Sequence, residues 1–149
     1  MADLNPASTP LSLYIHMPWC VRKCPYCDFN SHAVPDGKLS LDLEQEYLQA
    51  LVEDLKIQVD FAQGRHIHSV FIGGGTPSLI SAKAYQWLFT QLKSLIPFED
   101  GCEITLEANP GTVEHDPFAG YLDAGINRLS IGVQSFNTDH LKKLGRIHS

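Results

Sequence analysis

The strongest constraint on the fold is an alternation of short apolar runs with longer segments of helical periodicity, which occurs four times along the chain. The apolar runs predict strands at 11–16, 68–75, 102–109 and 128–135. Alternating strands and helices imply parallel strands joined by right-handed crossovers. The pattern therefore predicts an α/β fold whose parallel sheet is built from four β/α units.

Cap and stop residues set the expected bounds of the four helices. Asp42 is the expected cap of the first helix, with Gln45 three residues later in an arrangement like a capping box. The expected helices run from Asp42 to Gly64, from Ser81 to just before Pro97, over about 112–124 with a stop at Gly125, and from a cap at Asn137 to Leu144. The strands should then end together at one edge of the sheet, where α/β proteins gather their chemistry.

Composition and charge exclude several classes of protein. The 149 residues suffice for one domain, and their net charge of −6, without a basic stripe, argues against nucleic acid as a partner. A run of about 18 apolar residues, as a membrane-spanning helix needs, does not occur in the sequence. The first ten residues lack the basic and apolar regions of a secretory signal, so the expected location is the cytoplasm.

The two ends of the chain suggest how its domain is organised. Residues 1–10 are interpreted as a flexible leader, and residues 11–149 as the N-terminal portion of a core domain. The chain ends at L-G-R-I-H-S, where a fifth strand is expected. We therefore interpret the sequence as a fragment that lacks a C-terminal remainder.

Three of the four cysteines lie within eight residues, after the first expected strand. Cys20, Cys24 and Cys27 have the spacing C-x3-C-x2-C, which lets three thiolates each hold one iron of a cubane cluster. One iron would keep an open position for a cofactor or substrate. The alternative is a zinc site completed by His16 or His32, although zinc loops favour two separated C-x2-C pairs.

The fourth cysteine, Cys102, begins an expected strand at the end away from this loop. We interpret it as an ordinary small buried residue.

The ends of the other three strands carry glycine or polar residues. The backbone of Gly74, Gly75 and Thr76 can approach a ligand closely because the glycines have no side chain. Glu107 can accept hydrogen bonds from hydroxyl or ammonium groups, and Gln134 can donate and accept. The structural alternative is a plain loop for the glycine segment, a solvated acid for Glu107 and a buried amide for Gln134.

Three further side chains are candidates for contact with a ligand. Arg146 can pair with a carboxylate through two hydrogen bonds, or it can simply lie on the surface. Tyr14, on the first strand, and Tyr26, within the cysteine loop, can pack against a cofactor or can contribute to the core. The coincidence of such residues at four strand ends is a stronger signal than any single residue.

Five segments in order along residues 11–149 resemble the radical SAM proteins related to oxygen-independent coproporphyrinogen III oxidase, and above all their heme chaperone subgroup. They are Y-I-H-M-P-W-C-V-R-K-C-P-Y-C-D-F, F-I-G-G-G-T-P-S, L-E-A-N-P-G-T, R-L-S-I-G-V-Q-S-F and L-G-R-I-H-S. The resemblance implies the N-terminal part of a partial (β/α)6 barrel.

The resemblance also implies cofactors. It implies a [4Fe–4S] cluster on the three loop cysteines and S-adenosylmethionine at eight matching positions: Tyr14, Tyr26, Gly74, Gly75, Thr76, Glu107, Gln134 and Arg146. The implied chemistry is transfer of one electron from the cluster to the sulfonium, followed by homolytic cleavage of a carbon–sulfur bond. Such a protein needs a one-electron donor.

Two departures from the oxidases bear on function. The oxidases carry a further cysteine where this chain has Phe29, and their N-terminal extension before the cysteine loop is longer. The resemblance thus favours a chaperone that binds heme and delivers it to recipient heme proteins. The alternative is an oxidase that decarboxylates coproporphyrinogen III in heme biosynthesis.

Overall fold

The computed structural model describes residues 5–110 and 115–146. Its strands are β1 (Leu11–Met17), β2 (Trp19–Cys20), β3 (His32–Ala33), β4 (Ile67–Gly74), β5 (Phe98–Ala108) and β6 (Arg128–Ile131). Its helices are α1 (Leu41–Gln58), α2 (Ala82–Leu95), α3 (Phe118–Ala124) and α4 (Thr138–Lys143). A 3-10 turn at Pro6–Ser8 precedes β1. The flexible leader and the domain bounds remain predictions.

The main sheet has four strands in the order β1-β4-β5-β6, and each pair of neighbours is parallel. Each strand therefore pairs with the next long strand of the chain, as successive β/α units require. The predicted α/β fold with a four-strand parallel sheet is confirmed. Within the described residues, every helix is too short or too polar to cross a membrane.

The two faces of this sheet differ in composition. Ile15, Ile72 and Leu106 belong to one buried cluster with Leu48 of α1 and Leu88 of α2, so the helices cover that face. Because side chains alternate along a strand, their neighbours point to the other face. Tyr14, Phe71 and Glu107 lie there, in the register that pairs β1 with β4 and β4 with β5.

The start of α1 differs from the prediction. Ser40 is the cap, since its hydroxyl accepts a hydrogen bond from the backbone N–H of Leu43 at 3.2 Å. The assignment of Asp42 as the cap is wrong; Asp42 lies in the first turn, where a negative charge also favours the helix. The α-helix ends at Gln58 and a 3-10 turn follows it, short of the predicted stop at Gly64.

Other predicted bounds hold in part. The caps Ser81 of α2 and Asn137 of α4 are confirmed by hydrogen bonds from the first turn to their side chains. α3 begins only at Phe118, because Pro117 disfavours a helical residue before it; residues 112–114 of the predicted helix lie outside the described residues. β5 begins earlier than predicted, at Phe98, and β6 ends earlier, at Ile131.

A second, two-stranded sheet was not predicted, and it closes the base of the cysteine loop. β2 and β3 are parallel, with Trp19 opposite His32 and Cys20 opposite Ala33. The backbone N–H of Val34 donates to the carbonyl of Cys20 at 3.0 Å. The loop between these strands therefore leaves and returns at one place, and this fixes where its cysteines can lie.

The glycines after β4 allow this small sheet to pack directly on the main sheet. The backbone N–H of Gly75 donates to the carbonyl of Met17 at 2.7 Å, and that of Thr76 donates to the carbonyl of Trp19 at 2.5 Å. A Cβ atom on Gly75 would overlap the Trp19 backbone. Gly75 is therefore needed for contact between two backbones, in addition to any role toward a ligand.

A buried carboxylate joins α1 to α2. Glu44, 6% exposed, accepts hydrogen bonds from the backbone N–H of Ser81 at 2.8 Å and from its hydroxyl at 3.0 Å. The same hydroxyl accepts from the N–H of Ala84 at 3.1 Å. Glu44 thus extends the cap of α2, and it holds the helix that follows the glycine loop.

Replacing Glu44 by alanine should destabilise the fold. The substitution leaves the buried N–H of Ser81 without its partner, which costs about 1–3 kcal/mol. We expect the free energy of unfolding in urea to fall by that amount. Glu46→Ala, at an exposed position of the same helix, is the control, and equal losses in both variants would contradict the interpretation.

Gly75→Ala should also destabilise the fold, because the added methyl group forces β2 away from the end of β4. We expect a loss of about 1–3 kcal/mol in the free energy of unfolding and a changed near-ultraviolet circular dichroism from Trp19, whose ring packs against Tyr47 at 4.7 Å. The control is Gly120→Ala in α3, where a Cβ meets its nearest neighbour at an ordinary 3.5 Å. A stability loss in Gly120→Ala as large as in Gly75→Ala would contradict this reading.

Candidate cluster and cofactor site

A cavity of about 160 Å³ lies where the cysteine loop meets the carboxyl ends of β4, β5 and β6. Ten of the eleven predicted site residues line it: Cys20, Cys24, Tyr26, Cys27, Gly74, Gly75, Thr76, Glu107, Gln134 and Arg146. The eleventh, Tyr14, is not among the lining residues. The structure thus brings together side chains and backbone from segments that are far apart in sequence.

The three loop cysteines are free thiols that differ in burial. Cys20 is 7% exposed, while Cys24 and Cys27 are half-buried. Burial is the main cause that raises the pKa of Cys20; a hydrogen bond with Ser31 opposes the rise, and nearby Cys27 and Cys24 add to it. A metal that binds Cys20 therefore has to displace a proton, as metal binding to thiols generally does.

The arrangement of the three loop thiols along one cavity fits a cubane cluster. In the described part of the chain, three His, Cys, Asp or Glu side chains do not come close enough together to share one ion. A cubane cluster takes one thiolate per iron, so its ligands stand around it rather than at one point. The position of His16 agrees with this, since both ring nitrogens contact protein atoms, Tyr14 Oη at 2.9 Å and the Asn30 carbonyl at 2.7 Å.

Cys102 lies apart from this site. It is 9% exposed and lies six residues before the end of β5. At about 3.3 Å per residue, this separation places it about 20 Å from the strand end. The prediction that Cys102 is an ordinary buried residue is confirmed by its burial.

Glu107 and the glycine loop meet across the ends of β4 and β5. One carboxylate oxygen of Glu107 accepts a hydrogen bond from the backbone N–H of Gly74 at 3.3 Å. Gly74 itself has a φ of 109°, which favours glycine. A carboxylate has about four lone-pair positions, so Glu107 keeps acceptor capacity toward the cavity that it lines.

Gln134 and Arg146 close the far side of the cavity. Gln134 lies three residues after the end of β6 and has a φ of 67°, which is uncommon for a residue other than glycine. The Nη2 of Arg146 donates to Asn109 Oδ1 at 2.9 Å and to the Gly132 carbonyl at 2.6 Å. Its Nη1 donates to Tyr26 Oη at 3.2 Å and lies 3.8 Å from Cys24 Sγ. One guanidinium therefore joins the cysteine loop to the ends of β5 and β6.

Tyr14 lies on the open face of the sheet, beside the cavity rather than in it. Its ring stacks on Phe71, with centroids 6.3 Å apart, and its hydroxyl contacts His16. Burial and the nearby Glu107 carboxylate raise the pKa of Tyr14, so the phenol remains a neutral hydrogen-bond partner. Tyr14 thus adjoins the site through Glu107.

Some residues that line the cavity escaped the sequence reasoning. Ser130 lies directly opposite Glu107 in the pairing of β5 with β6, and Asn109 follows Glu107 by two residues. Both could have been found from strand register, because residues two apart or directly opposite share one face. Arg22, Lys23 and Ser31 also line the cavity, and they come from a loop without any periodicity to predict their direction.

Several known proteins resemble this chain over nearly its whole length. The chain is 58% identical over 144 residues to the heme chaperone HemW of Haemophilus influenzae. The aligned region covers 97% of this chain and 38% of that protein. The heme chaperone HemW of Escherichia coli K12 is 58% identical over 139 residues, covering 93% of this chain and 36% of that protein. The chain thus spans little more than a third of these relatives.

A solved structure also resembles this chain over nearly its whole length. Coproporphyrinogen III oxidase (HemN) from Escherichia coli, a radical SAM enzyme, superimposes with a TM-score of 0.80 at 30% identity, over 99% of this chain and 33% of that one. The family model of the Radical SAM superfamily matches residues 14–149, which include the cysteine loop and the ends of all four main strands. This chain therefore belongs to the radical SAM superfamily, whose members in general bind a [4Fe–4S] cluster and S-adenosylmethionine.

Proposed function

We propose that this chain is the cofactor-binding part of a heme chaperone, which binds heme and delivers it to recipient heme proteins. The observation that carries the proposal is the convergence of three free thiols and the polar ends of three strands on one cavity. The 58% identity to proteins named heme chaperone HemW supports the choice within the superfamily.

In this proposal Cys20, Cys24 and Cys27 hold the [4Fe–4S] cluster. Thiolates are the usual ligands of such clusters, and three of them leave one iron open to a further ligand. When both groups are bound, the cluster can supply one electron to the sulfonium of S-adenosylmethionine. The loop cysteines would hold the cluster at the carboxyl ends of β4, β5 and β6.

The remaining site residues would bind S-adenosylmethionine. Glu107 offers acceptor oxygens to hydroxyl or ammonium groups, and Gln134 offers both a donor and an acceptor. Gly74, Gly75 and Thr76 line the cavity at the end of β4. Arg146 supplies positive charge for a carboxylate. Tyr14 provides aromatic surface beside Glu107, and Tyr26 provides aromatic surface beside Arg146.

Phe29 favours the chaperone over the oxidase. Its ring is 61% exposed and lines the cavity, at the position where the family resemblance places a further cysteine in the oxidases. An apolar ring there cannot serve as a thiolate ligand. Oxidative decarboxylation of coproporphyrinogen III remains the second candidate, because HemN shares this fold over nearly the whole chain.

The compartment that we propose is the cytoplasm. Cysteines stay reduced there, and the site needs three free thiols. The partners of the whole protein would be heme, a recipient heme protein and a one-electron donor.

Cys24→Ala should abolish the cluster. Anaerobic reconstitution of the wild type should give about four irons per chain, together with the visible absorption of a thiolate-bound cluster. We expect the variant to lose most of both, because two thiolates do not hold a cubane. Cys102→Ala is the matched control and should keep its iron. Full iron content in Cys24→Ala, or stoichiometric zinc in the wild type after anaerobic purification, would overturn the assignment.

The full-length protein should bind heme without consuming a porphyrinogen. We expect titration with heme under anaerobic conditions to give a saturable, stoichiometric spectral change. Incubation with coproporphyrinogen III, S-adenosylmethionine and a reductant should yield no protoporphyrinogen by chromatography. Formation of protoporphyrinogen with cleavage of S-adenosylmethionine would instead establish the oxidase.

A further inference from the structure

The guanidinium of Arg146 lies against the sulfur of Cys24. Its Nη1 is 3.8 Å from Cys24 Sγ, within hydrogen-bond reach of a sulfur acceptor. Cys20 and Cys27 have a neutral partner instead, because Cys20 shares a hydrogen bond with Ser31 and the Ser31 hydroxyl lies 4.0 Å from Cys27 Sγ. Among the hydrogen bonds of the described residues, the contact at Cys24 is thus the one that brings a cationic donor to a loop thiol.

Three neutral acceptors hold the guanidinium in this position. Nη2 donates to Asn109 Oδ1 at 2.9 Å and to the Gly132 carbonyl at 2.6 Å. Nη1 donates to the Tyr26 hydroxyl at 3.2 Å. These acceptors come from three separate segments of the chain, and the guanidinium is a rigid planar fork. Its position and its orientation toward Cys24 are therefore both fixed by the fold.

The positive charge of Arg146 is not paired with a carboxylate within residues 5–110 and 115–146. The salt bridges there join other residues: Lys56 to Glu53, His68 to Glu99, His115 to Asp116 and Arg128 to Glu103. Arg146 is half-buried, so salt screens its charge less than that of a fully exposed side chain. When a metal displaces the proton of Cys24, the resulting thiolate is a negative group in direct contact with this charge.

The hydroxyl of Tyr26 adds a second donor at Cys24. It accepts a hydrogen bond from Arg146, so its own proton is free to be donated elsewhere. A hydrogen bond also joins Tyr26 to Cys24, and together with burial, which is the larger cause, it raises the pKa of Tyr26. Cys24 is therefore in contact with a charged donor and with a hydroxyl that the same guanidinium polarises.

We propose that Arg146 sets the reduction potential of the cluster through its contact with Cys24, and that Tyr26 assists it. The inference rests on the proposed cluster at Cys20, Cys24 and Cys27. Hydrogen bonds to the sulfurs and the net charge of a cluster are among the properties that fix its potential. A reduced cluster carries one more negative charge than an oxidised cluster, so a cation against a ligand sulfur stabilises the reduced form. Arg146 therefore raises the potential and makes the cluster easier to reduce.

This role of Arg146 does not depend on contact with a carboxylate of S-adenosylmethionine. The two hydrogens of Nη1 and the two of Nη2 face four protein atoms, so the Nε–H is the donor that remains for a ligand. Pairing with a carboxylate through two hydrogen bonds would require the guanidinium to give up one of these contacts. We therefore expect Arg146 to act on the cluster in the absence of S-adenosylmethionine as well.

The test measures the midpoint potential of the reconstituted cluster in the full-length protein without S-adenosylmethionine, by anaerobic titration with dithionite and redox mediators. In the titrated step, the reductant loses one electron and the cluster gains it. Arg146→Met removes the charge and its donors, and we expect the equilibrium constant for reduction to fall about tenfold or more, a shift of about 59 mV or more to lower potential. Arg146→Lys should recover part of the shift, and Tyr26→Phe should cause a smaller one.

The matched control is Arg65→Met, which removes the same charge at the opposite end of β4, from a half-buried arginine that also donates to carbonyls. Its potential should equal that of the wild type. Equal potentials in Arg146→Met and Arg65→Met would overturn the proposal. If Arg146→Met retains no iron, Tyr26→Phe decides instead, and a wild-type potential there would overturn it. Absence of any reducible cluster in the wild type would be a failure of the proposed cluster.

Discussion

The geometry of the site depends on one contact between backbones, in which the segment after β4 binds the end of β1 and the start of β2. The amides of Gly75 and Thr76 donate to the carbonyls of Met17 and Trp19. This contact places the first cysteine, Cys20, directly beside the glycine loop. The other cysteines follow in a loop that returns through β3, so the base of that loop is fixed beside the glycine loop.

Arg146 restrains the same loop from the opposite side. It lies 122 residues beyond Cys24 in the chain, and its guanidinium contacts Cys24 and Tyr26 as well as acceptors at the ends of β5 and β6. The loop is thus held between the first strands of the sheet and the last. Because each anchor is a polar contact rather than buried apolar surface, a loop without a hydrophobic core of its own can keep a defined position.

The parts of the fold that the sequence predicted are those with a local cause. The caps Ser81 and Asn137 act on amides within the next turn, and the four main strands follow from apolar runs. The wrong cap, Asp42, arose because Ser40 and Asp42 are both good cap residues only two positions apart. β2 and β3 have two residues each, too few to show any periodicity. Their pairing is a tertiary effect.

The residues at the strand ends could be predicted from the sequence more fully than the conformation of the cysteine loop. Parallel strands end at one edge, so Glu107 and Gln134 had to approach each other once the sheet was correct. Tyr14 lies outside the cavity because it stands three residues before the end of β1, beside Phe71, which a motif match alone does not reveal. The acceptors of Arg146 come from three separate segments, and only the folded chain brings them together.

The shared architecture also explains why the fold alone does not select a function. The cysteine loop, the glycine loop, Glu107, Gln134 and Arg146 form a site that a chaperone and an oxidase could both use, and HemN has the same fold at 30% identity. Phe29 differs in kind from these residues: it lines the cavity, yet its ring neither donates nor accepts a hydrogen bond and cannot bind iron. A change at such a position alters what the cavity can hold while leaving the contacts that build the site intact. Divergence of function within the family is therefore least costly there.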